Sequence, residues 1–237
     1  GRLAPALTME DIGLMLRAAS AQSVLTLESA LDALRLTLLG SGAAAAPTAQ
    51  DNREALYANL YGLVDNAAYT TLAGTAPLRV LAQTDPVALA TEAASDFGKF
   101  IALRNLLPFA IEGASSTVIA AHADLYGRWS ADRAKRIGGA SDLEFPAAYL
   151  AARAAFLAAR NAANLIDAGS VVVAAQPDNW RYVDVPQKYE VIAFGAAPAT
   201  IRRFGVFGGE GADSLLGGNQ ADRLYGGRGS DFLQGGK

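Results

Sequence analysis

The sequence predicts a mainly α fold: a helical bundle, then a short β region, then a repetitive C-terminal tail. Three observations carry this. Apolar residues recur at helical spacing between cap signals up to about residue 168. A short β-branched run follows at Ser170 to Ala175, and short strand-like segments reach Phe207. Ten of the 24 glycines fall in the last 30 residues, so composition shifts sharply near Gly208. The expected division is a helical domain over 1–168, a β bridge or cap over 169–207, and the repetitive tail over 208–237.

Composition narrows the function classes before any motif is read. A hydrophobic fraction of 51% excludes wholesale disorder, and a net charge of −3 gives no electrostatic case for nucleic acid. No apolar run reaches the roughly 18 residues that span a bilayer, so no transmembrane segment is expected. The absence of cysteine excludes disulfides, thiolate metal sites and a cysteine nucleophile. Gly1-Arg2-Leu3 carries neither an initiator Met nor a basic-then-apolar leader, which predicts an excerpt of a longer chain.

The helices are punctuated in order. Thr8-Met9-Glu10-Asp11 reads as a capping box. Leu27, Leu31, Leu34 and Leu38 share one helical face, and Gly40 supplies the stop. Asp51-Asn52-Arg53-Glu54 restarts a helix through Leu56, Leu60 and Leu63 toward Gly74. Asp85-Pro86, an N-cap before a first-turn proline, opens a helix toward Leu106. Shorter helices are expected at 115–126 and 130–137. Pro146 opens the last, with Leu150, Ala154, Leu157, Asn161 and Leu165 on one face and Gly169 beyond its end. Together these predict an antiparallel bundle of five to seven helices. Strands are expected at Ser170 to Ala175, Trp180 to Val185, Tyr189 to Phe194 and Ile201 to Phe207.

The tail repeats every nine residues. Gly208-Gly-Glu-Gly-Ala-Asp-Ser-Leu-Leu is followed by Gly217-Gly-Asn-Gln-Ala-Asp-Arg-Leu-Tyr and Gly226-Gly-Arg-Gly-Ser-Asp-Phe-Leu-Gln. Gly235-Gly236-Lys237 begins a fourth unit. Asp213, Asp222 and Asp231 keep the period, as do Leu215, Leu224 and Leu233. A flexible linker would not hold glycine pairs, acids and leucines in phase. This nonapeptide resembles the calcium-binding repeat of RTX (repeats-in-toxin, hemolysin-type) proteins.

That resemblance implies a right-handed parallel β-roll in which two nonapeptides make one coil. Unit n then stacks on unit n+2 with Ca²⁺ between the two turns, and each repeat leucine points into the roll. The chemistry agrees, since Ca²⁺ takes six to eight oxygen ligands and glycine-rich turns can aim carbonyls inward. The implied ligand set pairs Asp213 and Asp231 with carbonyls of Gly208, Glu210, Gly226 and Arg228. Asp222, with Gly217 and Asn219, belongs to a second, partial site on the other side. Its partner unit stops at Lys237 before an aspartate, and Gln220 replaces the fourth-position glycine.

Elsewhere the chemistry is sparse. His122 is the lone histidine, beside Val118, Ala121 and Leu125 on a helical face, and reads as structural. No GxSxG elbow occurs, because Gly40-Ser41-Gly42 lies in a loop and Gly113-Ala114-Ser115 lacks the closing glycine. No catalytic residue is assigned. Arg133, Lys135 and Arg136, tempered by Asp132, read as a solvated face.

A second resemblance covers the helical part. Asn52-Arg53-Glu54-Ala55-Leu56-Tyr57, Asp96-Phe97-Gly98-Lys99-Phe100 through Leu107-Pro108-Phe109, and Ala148-Tyr149-Leu150 through Phe156 are similar to a segment of large secreted bacterial RTX proteins. In some of those, the segment joins a lipase-like hydrolase domain to the repeats. The resemblances imply a secreted, calcium-binding, non-catalytic portion exported by type I secretion machinery, its tail folding outside the cell. The alternative is a helical domain that contributes directly to a lipase-like hydrolase or a cytotoxin.

Overall fold

The computed structural model describes residues 67, 70, 78–81, 84–113, 116–163, 170–173, 179–184, 191–193, 201–209, 211–218 and 220–235. Ala67 and Thr70 are helical; the rest of the helices expected over 8–40 and 51–74 lies outside the described residues. The chain forms two compact units, Gly1–Ile166 and Asp167–Lys237.

In the first unit, β1 (Leu78–Val80) pairs antiparallel with β2 (Phe109–Ile111), an element the sequence did not announce because three-residue strands leave no period to read. Helix α1 (Pro86–Ala93) starts at Asp85, whose carboxylate accepts from the backbone N–H groups of Val87 and Ala88. The single helix expected from Asp85 to Leu106 is two helices instead. Asp96 caps a new start, accepting from the Lys99 N–H at 2.9 Å, and α2 runs Phe97–Arg104. Helix α3 (Ser116–Ala121) and α4 (Ala123–Ile137) meet at His122, whereas the sequence suggested a break between 126 and 130. Helix α5 (Ala147–Ala162) follows Pro146 and packs on α1 and α2. Its face Leu150, Ala154, Leu157 and Asn161 is buried as the spacing predicted; Leu165 lies outside the described residues.

Two buried side chains knit these helices. Trp129 donates its indole N–H to the Ala93 carbonyl at 3.1 Å, closing the end of α1, and packs among Phe97, Phe100 and Tyr126. Arg153, 1% exposed, donates through Nε to the Leu103 carbonyl at 3.1 Å and through its terminal nitrogen to the Arg104 carbonyl. It satisfies the open carbonyls at the end of α2. Arg136 and Asp132 are not the solvated face expected of them. Arg136 donates to the carbonyls of Ala94 and Phe145, and buried Asp132 accepts from the N–H groups of Glu144 and Phe145. The reason is the returning 140–146 loop, which needs polar partners once it covers α4.

Among its described residues, the second unit is built of strands and the short turns between them. One sheet has the order β3 (Ser170–Val173), β4 (Asn179–Asp184), β6 (Ile201–Phe207), β8 (Arg223–Tyr225). The other has β5 (Val191–Ala193), β7 (Ser214–Leu216), β9 (Phe232–Gln234). Beyond the antiparallel β3–β4 pair, every pairing among the described residues of this unit is parallel. Successive strands from β5 onward alternate between the two sheets. Strand β6 thus belongs to the same sheet as a repeat strand, so the expected bridge and tail share a ladder. Phe204 and Val206 on β6 and Leu215 on β7 are buried, but burial fades toward the last strand, where Phe232 is 57% and Leu233 47% exposed. The resemblance placed Leu233 inside; among the described residues β9 pairs with β7 alone, and Leu233 is half exposed.

Candidate metal centre

The pairing register converts the nine-residue period into a stack. Gly205 lies opposite Arg223 and Ser214 opposite Phe232, in each case 18 residues apart. Units one and three are therefore neighbours, and units one and two are not. The turns 208–213 and 226–231 run side by side through backbone bonds. Gly208 N–H donates to the Tyr225 carbonyl, Arg228 N–H to that of Gly209 and Gly211 N–H to that of Arg228, at 2.6, 2.9 and 2.7 Å. Gly229 shows why the turns demand glycine: its φ is +131°, and a Cβ there would lie 1.6 Å from the Gly211 oxygen.

Oxygen atoms converge where unit one meets unit three. A Cβ on Gly208 would fall 1.9 Å from the Gly226 carbonyl oxygen and 2.7 Å from Asp213 Oδ2, so both oxygens face the small space that glycine leaves open. Asp213 is 2% exposed. Its Oδ2 accepts from the Gly209 N–H at 2.9 Å, whereas its Oδ1 is buried with no hydrogen-bond partner. Asp231 reaches the same stack, its Oδ1 accepting from the Asp213 N–H at 3.0 Å. A buried carboxylate oxygen without a partner is costly, and a cation removes that cost.

The donor chemistry suits a hard divalent cation. Among the described residues no three His, Cys, Asp or Glu side chains cluster, so any cage here draws on two aspartates and backbone carbonyls. That is an all-oxygen set of the kind Ca²⁺ accepts, with no soft ligand to favour a transition metal. Of the anticipated ligands, Gly208, Asp213, Gly226, Arg228 and Asp231 come together in one stack, although the Arg228 carbonyl also accepts from Gly211. Glu210 and Asn219 lie outside the described residues.

Gly217 and Asp222 fall in the other stack. Gly217 N–H donates at 2.7 Å to the carbonyl of Gln234, the last residue of unit three, just before the glycine that begins unit four. Unit two also has a neighbour upstream that the nonapeptide alone did not reveal. Strand β6 pairs with β8, and the Phe204 N–H donates to Asp222 Oδ1 at 2.8 Å. Gly218 N–H donates to Asp222 Oδ2 at 2.6 Å. Counting 18 residues back from Asp222, past the first glycine pair, would have located Phe204 in the sequence.

Compared with known proteins, the whole chain has no match among curated proteins or solved structures. The resemblance of the helical part thus rests on its quoted residues. The tail is similar to a described family: residues 206–237 match the family described as RTX calcium-binding nonapeptide repeat (4 copies).

Proposed function

We propose that this chain is a calcium-binding, non-catalytic portion of a secreted RTX protein, and that its repeats form a parallel β-roll holding Ca²⁺ between units one and three. Asp213 and Asp231 supply the carboxylates, and Gly208, Glu210, Gly226 and Arg228 the carbonyls. The observation that carries this reading is the buried, unpartnered Oδ1 of Asp213, on a carboxylate whose Oδ2 faces the space at Gly208 together with the Gly226 oxygen. Strands β6 to β9, which alternate between two sheets and pair in parallel at an 18-residue register, support the roll.

Bound Ca²⁺ supplies positive charge to a turn stack otherwise lined by oxygen. The chain's own residues do the rest: glycines bring the turns close, aspartates accept neighbouring N–H groups, and Leu215 and Val206 fill the space between the sheets. A ligand that binds only the folded tail stabilises it by mass action. Extracellular calcium modules bind with Kd of roughly 10⁻⁴–10⁻³ M, too weak to fill in a cytosol kept far below that. The tail therefore orders after export through a type I secretion route.

Calorimetry on the whole chain in chelated buffer tests this. CaCl₂ gives saturable binding between micromolar and millimolar, and MgCl₂ does not, because Mg²⁺ demands a tight octahedron and keeps its water. Equal responses to the two ions would overturn the site assignment.

A further inference from the structure

Asp222 and Asp231 make the same contact with the coil before them. Each accepts, through Oδ1, the N–H of the residue 18 positions upstream: Phe204 for Asp222 at 2.8 Å, Asp213 for Asp231 at 3.0 Å. The hydrogen bond is thus the same in both stacks, although Phe204 lies within β6 and Asp213 in the turn before β7, and the side chain carried by the donating residue differs. One stack places a carboxylate there; the other places a benzyl ring.

The consequences are visible around each donor. Asp213 leaves an unpartnered buried oxygen. Phe204, 3% exposed, brings no oxygen, and its ring carbons lie 3.1 and 3.3 Å from where Gly218 would carry a Cβ. The ring closes the turn of unit two by van der Waals contact. Both oxygens of Asp222 are meanwhile engaged by the N–H groups of Phe204 and Gly218.

We propose that Phe204 is an apolar plug that decides which turn stack takes the metal: it keeps the Asp222 stack ion-free and holds it together without calcium. This rests on the calcium reading and deepens it. Ca²⁺ needs six to eight oxygens and compensating charge, and a phenyl wall offers neither while stripping the ion of water. The Asp222 stack therefore forms before the ion arrives and presents unit two as a template beside the metal-dependent stack.

Equilibrium dialysis of the whole chain against CaCl₂ counts the ions held at saturation. Asp222→Asn holds the same number as the unchanged chain, and Phe204→Asp holds one more. One ion fewer in Asp222→Asn, or no gain in a folded Phe204→Asp, overturns the proposal. Should Phe204→Asp fail to fold, hydrogen exchange on the unchanged chain decides with Asp222→Asn. In EDTA the amides of Phe204 and Gly218 exchange more slowly than those of Asp213 and Gly209, and the reverse order overturns the plug. No calcium uptake by the unchanged chain overturns the calcium reading and the plug together, whereas uptake with a lost ion in Asp222→Asn overturns the plug alone.

Discussion

Asp231 accepts a 3.0 Å hydrogen bond from the backbone N–H of Asp213, tying the third repeat to the first across 18 residues. The bond places two carboxylates in one turn stack without a large cluster of acids. On this account Asp231→Ala weakens calcium binding at least tenfold, about 1.4 kcal/mol, by removing a charged ligand and the acceptor of that bond. Asp222→Ala has the smaller effect. Titration calorimetry on both variants checks the order, and a larger effect at Asp222 contradicts the pairing of unit one with unit three.

Gly208→Ala fills the space the oxygens face. Its methyl would sit 1.9 Å from the Gly226 oxygen, a distance no backbone tolerates, so the two turns must part. Calcium affinity falls at least tenfold, again about 1.4 kcal/mol. Far-UV circular dichroism of the helices stays unchanged. Retained affinity would place the ion elsewhere.

In the first unit, Arg153→Ala leaves the Leu103 and Arg104 carbonyls without their buried donor. At about 1–3 kcal/mol for each orphaned acceptor, the helical unit loses about 3 kcal/mol in urea denaturation. Calcium stoichiometry is unaffected.

The legible part of this molecule was the part with a period or a cap. The nine-residue repeat announced Asp213, Asp222 and Asp231 because phase survives even in three-residue strands. Asp85 and Pro146 announced their helices because a start signal is local. What stayed hidden depends on residues far apart in the chain. Arg153 meets carbonyls some 50 residues upstream, and β1 finds β2 across two intervening helices. Asp96 was missed for another reason: the apolar pattern runs on through the break between α1 and α2, and only the cap geometry reveals it. Phe204 departs from the repeat consensus, so the motif ended before the coil did.

Lys99 gives a pH signature. Burial pulls its ammonium down, but hydrogen bonds and charge from Glu92 and Glu112, at 2.8 and 2.9 Å, more than offset this and leave the pKa above the ordinary lysine value. A raised pKa contributes stability that is present in full below the unfolded lysine value, about 10.4, and is lost as pH climbs through the folded one. The stability gap between the unchanged chain and Lys99→Met is therefore flat from neutral pH to about 10 and shrinks above it. A gap that shrinks below pH 9 would mean the ammonium is not held by its glutamates.

The most direct test of the account is amide hydrogen exchange on the whole chain, with calcium and with EDTA. Calcium removal exposes the amides of Gly211 and Asp213, which bond across the metal-dependent turns, and of Gly209, which bonds to Asp213 within its turn, while those of 97–104 and 147–162 keep their protection. Equal exchange at Gly209, Gly211 and Asp213 in both conditions would contradict a tail ordered by calcium.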